Sequence, residues 1–294
     1  VRHIVLPSVA PEHKTLAGPF ARLFPSADFW VTDQQFSFPL NLPDRWLGFP
    51  ARTRVLPTRS DGAMWGDEFE HAVLTAKASA SSVYQEAAFF HKPSKTLLLC
   101  DAALSISAEP PAILTSDPSY RRALLFHARD APDERVEDTP EVRRKGWQRI
   151  ALFGNFFQPG ALRQLDASVW IAAARKTPMP ELGWAGVFPF TWTVDTPAAF
   201  ERLSNEGAPF VAPIIQIILS RAPEATREWL GVVTKWGFDR VIPAHFDAPL
   251  ALGPAELRKA FAFVDEGRNS VRFCDEDVKF LRDSLEGLPP DRAL

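Results

Sequence analysis

The chain has 294 residues, 46% hydrophobic and 23% charged, with a formal net charge of −3. That length buries a full core, and the composition is that of an ordinary soluble globular chain. No Lys/Arg run is long enough for a nucleic-acid or membrane footprint, and no apolar stretch approaches the roughly 20 residues that cross a bilayer. The densest basic cluster, RRKGWQR at 143–149, follows the acidic DERVEDTPE and reads as a solvated helix start. Of the two cysteines, Cys100 lies in an apolar run and reads as a buried thiol, which favours a reducing compartment. The 27 prolines predict many ordered loops and few long helices. The chain has no initiator Met and starts almost directly in a strand, so an N-terminal piece is expected to precede it.

In chain order, HIVLP (3–7) predicts a buried strand, HKTLAGPFARLF a helix, and ADFWVT (27–32) a second strand, together a βαβ unit. The proline-rich, aromatic stretch 33–57 reads as ordered loop ending in a strand near Thr53–Leu56. GDEFEHAVLTA, SSVYQEAAFFHK and KTLLLCD predict three strands in series, the last two joined by a KPSK turn, hence a mixed sheet. A helix over 137–157 has Thr139 as N-cap and Pro140 in its first turn. A short helix follows near 160–168, then a capped helix in TPAAFERLSNEG that stops at Gly207. PFVAPIIQIIL predicts a strand, APEATREWLGVVTKWG an amphipathic helix and FDRVIPAH a strand. Two tail helices are expected near 254–266 and 275–286. No linker divides the chain, so it reads as one α/β domain over 1–250 with a helical extension over 251–294.

Three strand exits carry metal-capable residues: VLPSVAPEH, TLLLCD and RVIPAHFD. They supply Glu12, His13, Asp101 and His245, with Asp247 two positions on. Two imidazoles and two carboxylates suit one divalent metal such as Zn, Fe or Mn, with positions left open for water. Each residue alone is weak evidence, since a lone His or Asp at a strand end is more often a hydrogen-bonding or turn residue. Asp247 and His127 are the candidates for moving protons. His127, with Arg129 and Asp130 in LLFHARD, follows an expected apolar strand; a structural hydrogen-bond cluster is the competing reading. His91 belongs to a hairpin turn, and His71 and His3 look incidental. Glu86 lies mid-strand and needs a partner if buried. No Gly-rich phosphate loop, Gly-x-Ser-x-Gly elbow or Cys-x-x-Cys is present.

The order of these motifs resembles that of the metallo-β-lactamase-like hydrolase superfamily. More closely, IVLPSVAPEHKTLAGPFARLFP, FSFPLNLP, AAFFHKPSKTLLLCD, LLFHARD, EDTPEVRRKGWQRI and IPAHFDAP resemble the DUF4336 family, from Val1 to about Leu250. The resemblance implies a branch of that superfamily found in photosynthetic eukaryotes, cyanobacteria and other bacteria. It also implies an αββα sandwich of mixed sheets with outer helices, entered part-way through. Under it, Ser8 and Ala10 stand where the first two metal-one histidines would be, and no His falls between Ala76 and Glu86 to supply the third. Glu12 stands for an Asp, and His13, Asp101 and His245 match the rest of metal two. Cys100 and Ala244 replace glycines. The implied site is half of a two-metal centre.

Two functional readings follow. One is a mononuclear metallo-hydrolase acting on an ester, amide or phosphoester. The other, with no metal, is a scaffold or accessory subunit of a chloroplast, thylakoid-associated assembly. Peripheral membrane association is compatible with that reading, and location rests on the resemblance alone. Aromatics in FPLNLPDRWLGFP and ELGWAGVFPFTWTV are interface anchors in that case and loop-to-core packing otherwise. A cofactor site in a vacated metal-one cavity has no support in the sequence.

Overall fold

The computed structural model describes residues 1–35, 44–77, 83–155, 161–182, 189–193 and 195–266, with 276–277, 279–280 and 283. Its strands are β1 (His3–Leu6), β2 (Asp28–Val31), β3 (Arg54–Val55), β4 (Phe69–Lys77), β5 (Val83–His91), β6 (Thr96–Leu98), β7 (Leu162–Gln164), β8 (Phe190–Trp192) and β9 (Arg240–Ile242). Helices α1 (Pro11–Lys14) and α2 (Ala17–Arg22) follow β1. Helices α3 (Ala112–Ser116), α4 (Pro118–Ala128) and α5 (Pro140–Gly154) follow β6, and α6 (Ala167–Ala174) follows β7. Then come α7 (Thr196–Ser204), α8 (Pro213–Ser220), α9 (Pro223–Val233), α10 (Pro254–Ala260) and α11 (Phe263–Glu266). The architecture is mixed α/β, in two compact units: Val1–Leu104 with the chain from Ile215 through α11, and Ser105–Ile214.

In the first unit the expected βαβ start is present. β1, β2 and β3 form a parallel sheet, with Ile4 opposite Phe29 and Val31 opposite Val55. The single helix expected between β1 and β2 is two short pieces. Pro19 lacks an N–H to reach back to Thr15, and its ring crowds that carbonyl, so α1 cannot run on into α2. α2 packs on this sheet through a core of Leu6, Ala21, Phe29, Val31 and Phe49. Gly18 permits the approach: a Cβ there would stand 2.1 Å from the Gly48 carbonyl oxygen.

The second sheet has the order β4-β5-β6-β9. β4 and β5 pair antiparallel from Phe69↔His91 to Lys77↔Val83, β6 returns as a hairpin, and β9 joins parallel with Leu98 opposite Ile242. Alternation gives it two unlike faces. Ala72, Leu74, Ala76, Ala88 and Phe90 are buried on one face. There the Trp229 indole donates to the Ala72 carbonyl at 3.1 Å, and Trp236 stacks on Phe90. The other face carries Phe69, His71 and Phe89, against which Trp65 packs together with His3 and Trp30. His71 donates from Nε2 to the Pro57 carbonyl and accepts from Trp65 at Nδ1, so it is a structural core imidazole.

In the second unit α4 lies against α5 so closely that a Cβ on Gly146 would fall 1.9 Å from the Leu124 carbonyl oxygen. The Thr139 N-cap is confirmed, its side chain accepting from the Val142 N–H at 3.3 Å. β7 and β8 pair antiparallel, and Phe126, Leu162, Leu182 and Phe190 form a small core.

Four expectations need correction. The short helix expected near 160–168 is absent over 161–166: Leu162–Gln164 is a strand held by pairing to Phe190–Trp192, and the helix begins at Ala167. Such a pairing partner, 28 residues distant, leaves no local trace. PFVAPIIQIIL is not a strand but enters α8, which starts at Pro213 and buries Ile215 and Leu219 at helical spacing. LLFHARD follows no strand; it closes α4. Finally, Arg149 of the basic cluster is buried rather than solvated, its guanidinium reaching the carbonyls of His127, Ala128 and Arg129 and the carboxylate of Asp130. The expected helix over 254–266 is α10 and α11, and that over 275–286 lies largely outside the described residues. Among the described residues no helix is long and apolar enough to cross a membrane.

Candidate metal centre

The site is built where the segment after β1 and the strand β6 meet the same edge of β5. Beyond β1 the chain crosses to β5: the Pro7 carbonyl accepts from Ala87 N–H at 2.7 Å, and Val9 N–H donates to the Gln85 carbonyl at 3.2 Å. Pro11 then starts α1, which brings Glu12 and His13 to the strand exit. On the far side β6 ends at Leu98, and the chain turns through Cys100, Asp101 and Ala102. Their three amides have no ladder partner there, so each donates to one side chain, Glu86. Cys100 N and Ala102 N reach Oε1 at 2.7 and 3.2 Å, Asp101 N reaches Oε2 at 3.0 Å, and the Tyr84 hydroxyl donates to Oε2 at 2.5 Å. Glu86 is fully buried, and this is the partner set its mid-strand position requires. The third exit follows β9, where Ala244 N–H donates to the Cys100 carbonyl at 3.3 Å and Phe246 takes a left-handed φ of 63°. His245 lies between them.

These exits bring Glu12, His13, Asp101 and His245 together, with one donor atom from each, all within 4.8 Å of one another. Asp101 is the hub. Its Oδ1 lies 3.2 Å from His13 Nε2 and 3.0 Å from His245 Nε2, and the two Nε2 atoms are 3.4 Å apart. Its Oδ2 accepts from the Ser8 hydroxyl at 3.1 Å, and Ser8 Oγ in turn accepts from Ala10 N–H at 3.2 Å. Cys100 Sγ lies 3.3 Å from His13 Nε2, and the thiol is free and buried. Two ligand atoms at about 2.1 Å from a tetrahedral ion stand about 3.4 Å apart. The imidazole spacing therefore fits a single shared ion.

The electrostatics follow from this crowding. The hydrogen bond to Asp101 raises His13 above its ordinary 6.5 despite burial. Burial would push Asp101 up, but the hydrogen bonds to His13 and His245 outweigh it and hold the carboxyl well below the usual range. Burial, with Asp101 adding to it, pushes Glu86 up to about 7. Burial likewise pushes the Cys100 thiol up.

Over residues 1–263 the chain matches the DUF4336 family model, described as a domain of unknown function. The chain belongs to the DUF4336 family. No curated protein and no solved structure matches it.

In this DUF4336 chain the other titratable residues fall elsewhere. Asp247 is half-buried two positions beyond His245. His127 belongs to the second unit, at the end of α4, ringed by Phe126, Phe153, Phe190 and Trp192. Burial, helped by Arg149, lowers it to about 4. His91 caps its hairpin through Ser94 Oγ at 2.6 Å. Sequence reasoning left Glu86 open and missed Tyr84 and the Ser8 hydroxyl. One signal was present: Tyr84 and Glu86 are i and i+2 on a strand, hence on one face.

Proposed function

We propose that this DUF4336 protein is a divergent, single-metal member of the metallo-β-lactamase-like hydrolases. Glu12, His13, Asp101 and His245 would hold one divalent cation, Zn, Fe or Mn. The observation that carries this reading is the convergence of these four donors from three separate strand exits. Such an ion, when bound, lowers the pKa of a water from 15.7 toward about 7, which makes a hydrolytic nucleophile at neutral pH. Layering in the first unit supports an αββα reading: α2 backs the first sheet, the aromatic faces meet, and α9 backs the second.

The chain's own residues do the positioning. Ser8 holds Asp101 Oδ2, which leaves Oδ1 aimed at the two imidazoles. Glu86 fixes the turn that carries Asp101. Because Ser8 Oγ is already engaged by Asp101 and Ala10, and Ala10 offers no donor atom, the neighbouring position is not built for a second ion. Asp247 is the candidate to accept a proton from the attacking water. The test is hydrolysis of p-nitrophenyl acetate and bis(p-nitrophenyl) phosphate by protein loaded separately with Zn, Fe and Mn. Turnover lost in His245→Ala and Asp101→Asn supports the reading. Turnover equal in wild type and variants contradicts it.

One observation favours the scaffold reading: Trp46, in the proline-rich loop, is 66% exposed. An uncovered indole of that kind suits an interface anchor in a plastid assembly. Phe190 and Trp192, in the other aromatic stretch, take the alternative reading and pack on the second unit's core.

A further inference from the structure

The end of β1 and the helix α2 enclose a groove of about 310 Å³, lined by Ile4, Leu16, Ala17, Phe20 and Phe29, with His13 in its wall. His13 is the one polar side chain among its described lining residues. The same imidazole thus faces both the donor cluster and an apolar channel. Leu16, the N-cap of α2, is 70% exposed and Phe20 49%, and the Phe20 N–H donates to the Leu16 carbonyl at 2.9 Å, which holds the two one turn apart. Large apolar side chains left open to solvent beside a candidate active site mark a ligand groove. A charged or strongly polar group placed there would lose its water and find no partner. The volume lies at the small end of the 300–1,000 Å³ typical of small-molecule sites, room for a few carbons or one ring.

We propose that the substrate of the Glu12–His13–Asp101–His245 centre carries a short, uncharged apolar acyl or aryl group, which this groove binds. The assignment rests on the single-metal reading above. The substrate class is then esters, amides or phosphoesters of small hydrophobic groups, not sugars, polyanions or charged peptides.

The test is calorimetric titration of zinc-loaded protein with acetate, butanoate and hexanoate, with zinc content measured on the same samples. Affinity is expected to rise about fourfold for each added methylene, so about two hundredfold from acetate to hexanoate. Leu16→Ser and Phe20→Ser, both at exposed positions that tolerate a polar residue, flatten that slope. Leu23→Ser keeps it; Leu23 is 70% exposed beyond the end of α2 and outside the groove lining. Zinc-bound protein with a flat slope, or a slope that survives both groove variants, overturns the groove and leaves the metal centre standing. A slope in protein that takes up no zinc sinks the single-metal reading, and the substrate assignment with it. A flat slope together with a dimer that Leu16→Ser dissociates in sedimentation gives the groove to a second copy of the chain and overturns the proposal.

Discussion

Glu86 shows how one side chain can hold a site together. Its carboxylate accepts four hydrogen bonds, and three come from consecutive amides of the turn bearing Asp101. Glu86→Gln puts an NH₂ against at least one of those N–H groups in either orientation. We expect a loss of about 2 kcal/mol in urea unfolding from that buried mismatch. Metal affinity should fall by about tenfold or more as Asp101 shifts. Unchanged affinity would remove Glu86 from the site's support. The pH dependence belongs to the same residues. His13 is raised above 6.5, so its pairing stabilises the metal-free fold fully below 6.5 and is lost as pH rises through the raised value. Glu86, raised to about 7, acts in the same direction: its contribution is full below 4.5 and lost as pH climbs through about 7. Asp101 is lowered, so its contribution persists above 3.8 and is lost only as pH falls through the lowered value. Metal-free protein should therefore lose stability between pH 5 and pH 8, while zinc affinity rises as His13 sheds its proton. Urea midpoints with zinc and with chelator across that range check both signs. Metal-free protein more stable at pH 8 than at pH 5.5 would contradict them. At this scale the clustering of the four candidate donors was legible, because strand exits ending in His or Asp follow from apolar runs. The Glu86 cluster was not, since it joins residues 14 to 16 positions apart across a hairpin.

Elements in the second unit depend on two close contacts. Gly146→Ala places a methyl into the Leu124 carbonyl, and helix backbone on both sides limits relief. A cost near the upper end of the 1–3 kcal/mol range for overpacking is expected in thermal unfolding. Arg149 closes α4: one guanidinium nitrogen serves three successive carbonyls, the other serves Asp130, and the plane lies over Trp192. Arg149→Met strands those carbonyls beneath a buried helix end and should cost about 3 kcal/mol or more. Zinc stoichiometry should not change in either variant, because all four donors belong to the first unit. A variant that unfolds the second unit and also loses zinc would show the units to be one cooperative block. Element type was readable where caps or alternation were strong, as at Thr139 and along β4 and β5. It failed where β-branched residues sat in a helix, as the isoleucines of α8 do, and where a three-residue strand depended on a distant partner, as β7 does.

The whole molecule was legible in outline only. A βαβ start, a run of neighbouring strands and a late strand at 238–245 predicted a mixed α/β chain, and that is the architecture; the parallel pairing of the late strand was not foreseen. The grouping of segments into two units, with the first completed by the chain from Ile215 onward, needs contacts that no local pattern carries. Three far-separated strand exits bring four donor atoms to one point, where we propose a metal ion binds. The most direct measurement is metal content by plasma mass spectrometry, after chelator-free purification and exposure to zinc, for wild type beside His13→Ala, Asp101→Asn and His245→Ala. One ion per chain is expected in the wild type and none in the three variants, with each variant still folded by circular dichroism. A wild type that holds no metal, or variants that hold as much as the wild type, would contradict that expectation.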